Sequence, residues 1–404
     1  MKKKFMVLML CFFVLFANIS SVQAKSNATD KVVSSDKKNI TDTIQSFFKS
    51  YENAFDNEDT EFKDIYNHFS NDYKNIKITT LIKTILKRRI ILSQEYPNKK
   101  LKELNKQLKF DYDSININNN SAIVTVTVTK MFNYNISLDT KSASSDKYSI
   151  TLKKDTNWRI CSVDGFVDND VKEDFSGKGI DSNNVEDLTK YQNNLRQDVI
   201  KFYDSFKSEM TNNTVASNSN ILAANVATAS LTTLSTYNRI GATNYATQYA
   251  ISPNTNYVDF GSTGTNEGGD CTNFISQCLN EGGGISEHFG TIYSNTCWFY
   301  TTGSNRSSSW TGAQEFNTYV KSSVSKINST MSTFSSVDYG DIIQLQSTTS
   351  TQMSHSLIIT GIVMSSYGRS DLLFCCHSSN KLNYSLSNTY GSRTKQYIHI
   401  LGCK

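Results

Sequence analysis

The chain has 404 residues, 38% of them hydrophobic and with 22 Phe and 21 Tyr, which is enough for packed cores and excludes a disordered or fibrous protein. Its formal charge is +4, and three of the contributing lysines are Lys2, Lys3 and Lys4; without them the balance is +1 (+4 − 3). A nearly neutral chain of this kind excludes binding to nucleic acid or to an acidic membrane surface by bulk charge.

Residues 1–24 read as a secretory signal peptide. Lys2-Lys3-Lys4 precede an apolar run from Phe5 to Ala17, and Val22-Gln23-Ala24 form a small-residue cleavage site. The run has thirteen positions, too few to span a bilayer. Cys11 follows Leu10 and not a small residue, so a lipid anchor is not expected. The expected location is extracellular, free or associated with the cell wall, with no stable membrane insertion after cleavage. Seven cysteines then remain: Cys161, Cys271, Cys278, Cys297, Cys375, Cys376 and Cys403. An odd count in an exported chain leaves at least one thiol free, and the irregular spacing is not that of a disulfide scaffold. Adjacent Cys375 and Cys376 point to opposite faces of a strand, which argues against a metal cluster.

Residues 25–39 are polar and expected to be disordered. From Asp42 the pattern becomes helical, with Ile44, Phe47, Phe48, Tyr51 and Phe55 on one face. Further helices are expected over 60–69 and 79–96, the latter with Leu81, Ile82, Ile85, Leu86 and Ile90 inward, and Lys87-Arg88-Arg89 read as a solvated face. The period then changes to two. Segments 114–118, 122–134, 147–153 and 158–163 read as strands of an antiparallel sheet, with turns at Asn118-Asn119-Asn120 and Asp155-Thr156-Asn157. Helices followed by such a meander make an α+β unit over residues 40–168. This order resembles the NTF2-like α+β domains. No polar constellation is visible in it, so a spacer or recognition role is expected.

Residues 168–179 are expected to be an exit loop. A helix follows over 185–210, with Leu188, Tyr191, Leu195, Val199 and Phe202 on one stripe. Residues 211–235 are Asn, Ala, Ser and Thr with almost no charge and read as a flexible linker. Residues 169–234 are therefore expected to join the first domain to a second over 235–404.

The second domain opens with a helix that presents Ala242 and Ala246 for close packing and ends before Pro253. Its central stretch is Gly268-Gly269-Asp270-Cys271-Thr272-Asn273-Phe274-Ile275-Ser276-Gln277-Cys278-Leu279. A glycine turn delivers Cys271 to the first turn of a helix whose apolar face is Phe274, Ile275, Cys278 and Leu279, and Gly282-Gly283-Gly284 end it. Asp270 is placed to cap. The positive end of a helix favours a thiolate, so a depressed thiol pKa is expected. Segment 299–310 reads as irregular, 312–320 as a short helix and 339–345 as a strand. Strands are also expected from His355 to Val363 and from Leu372 to His377, with a hairpin turn at Ser365–Gly368, and His399 sits in a terminal strand as a structural histidine.

A thiol nucleophile needs a base. If the hairpin centres near Ser366, His355 and His377 lie side by side; a one-residue slip would put Ser378 or Cys376 opposite His355 instead. His377 or Asn380 would then orient His355. Asp270, Tyr257 and Asn266 are donor or positioning candidates. Trp298 and Trp310, with Phe299 and Tyr300, are candidates to line a groove or to pack in the core. No metal, nucleotide or phosphate motif calls for a cofactor.

Tyr237-Asn238-Arg239, the 268–279 stretch, Ser309-Trp310-Thr311, Gly340-Asp341 and His355 followed by His377-Ser378 resemble the "Putative amidase domain" family over residues 235–403. The order of elements is also similar to the papain-like hydrolases of the NlpC/P60 and CHAP kind. The resemblance implies a papain-like domain with a helix-borne cysteine on an antiparallel sheet, Cys271 as nucleophile and His355 as base. The Thr and Asp usual after the second histidine are Ser378 and Asn380 here. The implied substrates are peptides or peptidoglycan peptides, cleaved at amide bonds. Acyl or amide transfer, including deamidation, by the same dyad is the alternative enzyme; a non-catalytic wall-binding protein is the alternative class.

Overall fold

The computed structural model describes residues 34–71, 75–96, 100–220, 237–261, 269–365, 368–390 and 393–404, with the backbone alone at 169 and 205–220. The expected signal peptide and Asn266 lie outside the described residues. Helix α1 (34–56) buries Ile40, Ile44, Phe47, Phe48, Tyr51 and Phe55, one apolar stripe at helical spacing. It begins inside the stretch expected to be disordered. Residues 34–39 are ordered because the Asp36 carboxylate accepts from Lys154 Nζ at 2.7 Å and from Trp158 Nε1 at 3.0 Å. A single turn, α2 (Lys63–Tyr66), and the long α3 (Asn75–Gln94) follow.

Arg88 and Arg89 of α3 are not a solvated face. Arg88 is buried against Asp170 at 2.7 Å and Asp174 at 3.3 Å; Arg89 pairs with Glu52 at 2.8 Å and Glu103 at 2.5 Å. The carboxylates that receive them are far away in sequence, so a local charge run did not reveal the pairing.

The four expected strands are β1 (Glu103–Asn118), β2 (Ser121–Tyr134), β3 (Ser137–Lys154) and β4 (Trp158–Asp164). The first and third are far longer than expected: β1 already alternates from Gln107 to Asp113, with Leu108, Phe110 and Tyr112 half-buried, and the added length of β3 is almost wholly polar. The exit loop is a helix, α4 (Asn169–Gly177), capped by the Asp168 carboxylate, which accepts from Val171 N at 2.9 Å. Helix α5 (Val185–Asn220) then runs ten residues into the expected linker; residues 221–236 lie outside the described residues.

In the second half come α6 (Arg239–Tyr249) and α7 (Cys271–Gln277), the latter continuing as a π turn over Cys278–Gly282. A small hairpin, β5 (Tyr300–Thr302) and β6 (Asn305–Arg306), replaces the irregular segment, and α8 (Ser308–Thr311) and α9 (Ala313–Lys321) follow. The strands are β7 (Ile327–Ser332), β8 (Ile342–Gln346), β9 (Met353–Ser365), β10 (Gly368–Cys376), β11 (Asn380–Ser385) and, after α10 (Leu386–Tyr390), β12 (Lys395–Cys403).

The fold is α+β with one antiparallel ten-stranded sheet in the order β1-β2-β3-β11-β10-β9-β8-β12-β7, to which β4 adds beside β3. The two halves of the chain therefore meet within the sheet, where Ser145, Ser144 and Ala143 pair with Asn380, Lys381 and Leu382. Helices α3, α4 and α5 close a core shared with the second half, in which Phe132, Phe175, Leu188 and Leu195 lie with Val363 and Leu373. Cys375 and Cys376 belong to cores on opposite faces of the sheet, as alternation requires. Among the described residues no helix is long and apolar enough to cross a membrane.

Candidate active site

The Gly-Asp-Cys turn is built around Asp270, which is 1% exposed. Its carboxylate does not cap α7. One oxygen accepts from Phe260 N at 3.1 Å and from Asn273 Nδ2 at 2.7 Å; the other lies 2.5 Å from His377 Nδ1. Asn273 in turn accepts from Trp310 Nε1 at 2.9 Å, and Phe274 stacks on the His377 ring at 4.0 Å. At Gly269 a Cβ would come within 2.6 Å of Ser378 Oγ, so the turn packs closely on the segment after His377. Most of the stretch is thus scaffold, and its product is the placement of Cys271.

One hydrogen bond brings the cysteine toward its base. Thr272 Oγ1 lies 3.0 Å from Ser356 Oγ, pinning α7 to β9, so that Cys271 and His355, the neighbours of this pair, line one cavity of about 370 Å³. Both are nearly buried, at 4% and 5% exposure. His355 Nε2 lies 3.2 Å from Tyr390 Oη, and its Nδ1 has no hydrogen-bond partner among the described residues. A second cavity, of about 520 Å³, opens on the other side of Cys271 toward Arg306, Gln314 and Glu315.

Burial dominates the electrostatics. It pushes the Cys271 thiol above its ordinary value, although the Ser356 backbone and the Thr272 hydroxyl favour the thiolate. The depressed pKa expected from a helix N-terminus is therefore not found: α7 has seven residues, and desolvation outweighs its end dipole. Burial, followed by the Arg393 and Lys381 charges, pulls the His355 imidazole down to about 3. Thiol and imidazole are both neutral at neutral pH.

Other expected site residues are elsewhere. His377 does not pair with His355: its Nδ1 faces Asp270 and its Nε2 is 2.9 Å from the Tyr249 carbonyl oxygen, so both nitrogens hold structure. The β9–β10 ladder pairs Ile358 with Cys375, one residue out of the register that would set His377 opposite His355, and β10 ends at Cys376. Asn380 opens β11, paired with Ser145, and does not line the cavity. Tyr257 donates to Glu281 at 2.8 Å and lies beside Tyr300 and Trp310. Trp298 and Trp310 are fully buried, their indole N–H groups bonded to Ser276 and Asn273, and so pack the core and line no groove. His399 is structural, with Nδ1 2.7 Å from the buried Asp341.

Sequence reading missed Tyr390, Arg393 and the α4 residues that complete the cavity. Tyr390 carries no motif, and its role follows from α10 packing over the end of β10. The seven cysteines of the described residues are thiols, and no group of three or more His, Cys, Asp or Glu among them is placed to hold a metal ion.

Comparison with known proteins bears on the second half of the chain. Residues 236–401 match the family model described as "Putative amidase domain", which makes this part an amidase-like domain. The chain is also 26% identical over 206 residues to "Uncharacterized protein YjcM" of Bacillus subtilis (strain 168), covering 49% of this chain and 43% of that protein, so it spans less than half of that relative's length. No solved structure matches the chain.

Proposed function

We propose that the protein is a secreted cysteine amidase that hydrolyses amide bonds in peptides, with cell-wall peptidoglycan peptides as the substrate class. The observation that carries this reading is the shared cavity of Cys271 and His355 inside a segment similar to an amidase domain. His355 Nε2 lies 3.2 Å from Tyr390 Oη, and in this reading its N–H donates to that oxygen, which leaves the Nδ1 lone pair available. Nδ1 takes the Cys271 proton as sulfur attacks the amide carbonyl carbon, and the Cys271 backbone N–H with a neighbouring donor holds the oxyanion. Collapse breaks the C–N bond, and His355 returns the proton to the departing amine. Water, deprotonated by the same nitrogen, then hydrolyses the thioester and restores the thiol.

In this reading Tyr390 takes the orienting role, and His377 and Asp270 are positioning residues behind the turn. Cavities on both sides of Cys271 suit a chain that passes across the sulfur, as a peptide does. Export is supported by the signal-like residues 1–24. The test is mass spectrometry of a peptidoglycan-fragment pool incubated with the protein, where hydrolysis adds one water across the cleaved bond. Cys271→Ala should abolish turnover, His355→Ala should lower kcat/KM by about 10²- to 10⁴-fold, and Tyr390→Phe by about 5- to 10-fold, the worth of one hydrogen bond. Full activity in Cys271→Ala would sink the proposal.

A further inference from the structure

Two cavities meet at Cys271, but His355 lines only one of them. In amide cleavage the departing amine takes its proton from the base, so it must leave on the side where that base lies. The amine component of the substrate therefore occupies the 370 Å³ cavity, and the acyl component the 520 Å³ one.

The amine-side cavity is not built by the amidase-like segment alone. Asp170, Lys172, Glu173 and Ser176 of α4 form one wall, and all lie upstream of residue 236. The wall is fixed from both halves of the chain. Thr348 Oγ1 donates to the Glu173 carbonyl oxygen at 2.8 Å, Gly177 packs so closely on Thr348 that a Cβ would come within 2.7 Å of it, and Arg88 holds Asp170 and Asp174.

The charges on this wall are not equally engaged. Asp170 is paired with Arg88; Glu173 receives the backbone N–H and hydroxyl of Thr348, both at 3.1 Å, and stands 3.8 Å from Arg393. Lys172, by contrast, is exposed, and its ammonium has no ion pair or hydrogen bond among the described residues. Arg393 lies behind it in the same cavity, 6% exposed, with its donors on the Gln346 carbonyl oxygen and Ser354 Oγ. Asp170 and Glu173 each face a guanidinium of the fold, which leaves the Lys172 ammonium as the charge open to an anion.

We propose that the α4 wall is the leaving-group subsite, selecting substrates whose amine component carries a carboxylate, an amino acid or short peptide, with Lys172 as the residue that reads it. The inference rests on the amidase reading, because it uses His355 to define the amine side. It places substrate choice partly outside the segment that carries the chemistry.

The test reads ligand occupancy by the rate of iodoacetamide alkylation of Cys271, located by mass spectrometry in the full chain. The probes are glycylglycine and glycylglycinamide, which differ at the carboxylate. In the wild type glycylglycine should slow alkylation at least about threefold more than the amide at equal concentration, and Lys172→Glu should erase or reverse that order. Equal protection by the two probes, no protection by either, a Cys271 that resists alkylation, or an unchanged preference in Lys172→Glu overturns the assignment. Failure of the amidase reading looks different: without any probe, His355→Ala would leave the alkylation rate unchanged, and Cys271→Ala would retain turnover.

Discussion

His355 is a buried base whose neutrality has a cost that depends on pH. Its folded pKa of about 3 lies below the ordinary histidine value near 6.5. Between those limits the unfolded chain binds a proton that the folded chain refuses, so this contribution is intact above pH 6.5 and is lost as pH falls toward 3, by up to about 1.4 kcal/mol per pH unit. Asp170 acts in the opposite sense. Burial raises its carboxyl to about 6, so its contribution is present below the ordinary carboxylate range and is lost as pH rises through 6. Between about pH 4 and 6 the two slopes oppose, and the stability of the wild type hides both. The difference between wild type and His355→Gln isolates the histidine. Urea midpoints measured from pH 4 to 8 should show that difference shifting in favour of the wild type up to about pH 6.5 and holding constant above; a pH-independent difference would mean that the imidazole titrates normally.

At the scale of elements, the cysteine helix is placed by a backbone contact. A Cβ on Gly282 would come within 2.6 Å of the Gly241 carbonyl oxygen and 2.8 Å of the Ala242 Cα, where the π turn crosses α6. Backbone cannot swing aside as a side chain can, so Gly282→Ala should cost about 1–3 kcal/mol or more through overpacking. Thermal unfolding checks this: Gly284→Ala, at φ +73° with open space around it, should lose only about 1–2 kcal/mol, Gly282→Ala should lose more than that, and an equal or smaller loss at Gly282 would dismiss the crossing as the cause. Much of this region was legible in the sequence. The glycines around 282, the small face of Ala242 and Ala246, and the apolar face of the cysteine helix each have a local reason. What was not legible depended on non-local fits. The His355–His377 pairing misses by one residue because the ladder opens with Ser365 opposite Gly368, so the hairpin centres half a residue beyond Ser366; the β-bulges between Arg369 and Asp371 and between Leu373 and Phe374 offset each other, and no alternation of apolar and polar residues fixes the centre of a turn. The sequence of α4 reads as a loop because its burial, like that of Arg88, depends on partners from distant parts of the chain.

The whole molecule behaves as one body in its bonding, and this bears on how it unfolds. Strand β3 hydrogen-bonds to β11 across the join between the halves, so neither half completes its sheet alone. Asp371, fully buried in β10, accepts from Tyr96 Oη of the first half at 2.9 Å and from Ser385 Oγ of the second at 2.5 Å. The core formed by α3, α4 and α5 with Val363 and Leu373 has no counterpart within either half. Separating the halves would expose two strand edges and that core and would take the Tyr96 hydrogen bond from the Asp371 carboxylate, a charged contact worth about 1.5–3 kcal/mol. A partly unfolded chain with one intact half therefore lies well above both end states, and the transition should be close to two-state in spite of the chain's length. Scanning calorimetry of the full chain should give one peak whose calorimetric and van't Hoff enthalpies agree. Two resolved peaks, or a calorimetric enthalpy near twice the van't Hoff value, would mean that the β3–β11 seam opens before the halves melt, and that the α4 wall of the cavity can part from Cys271 while the rest of the fold survives.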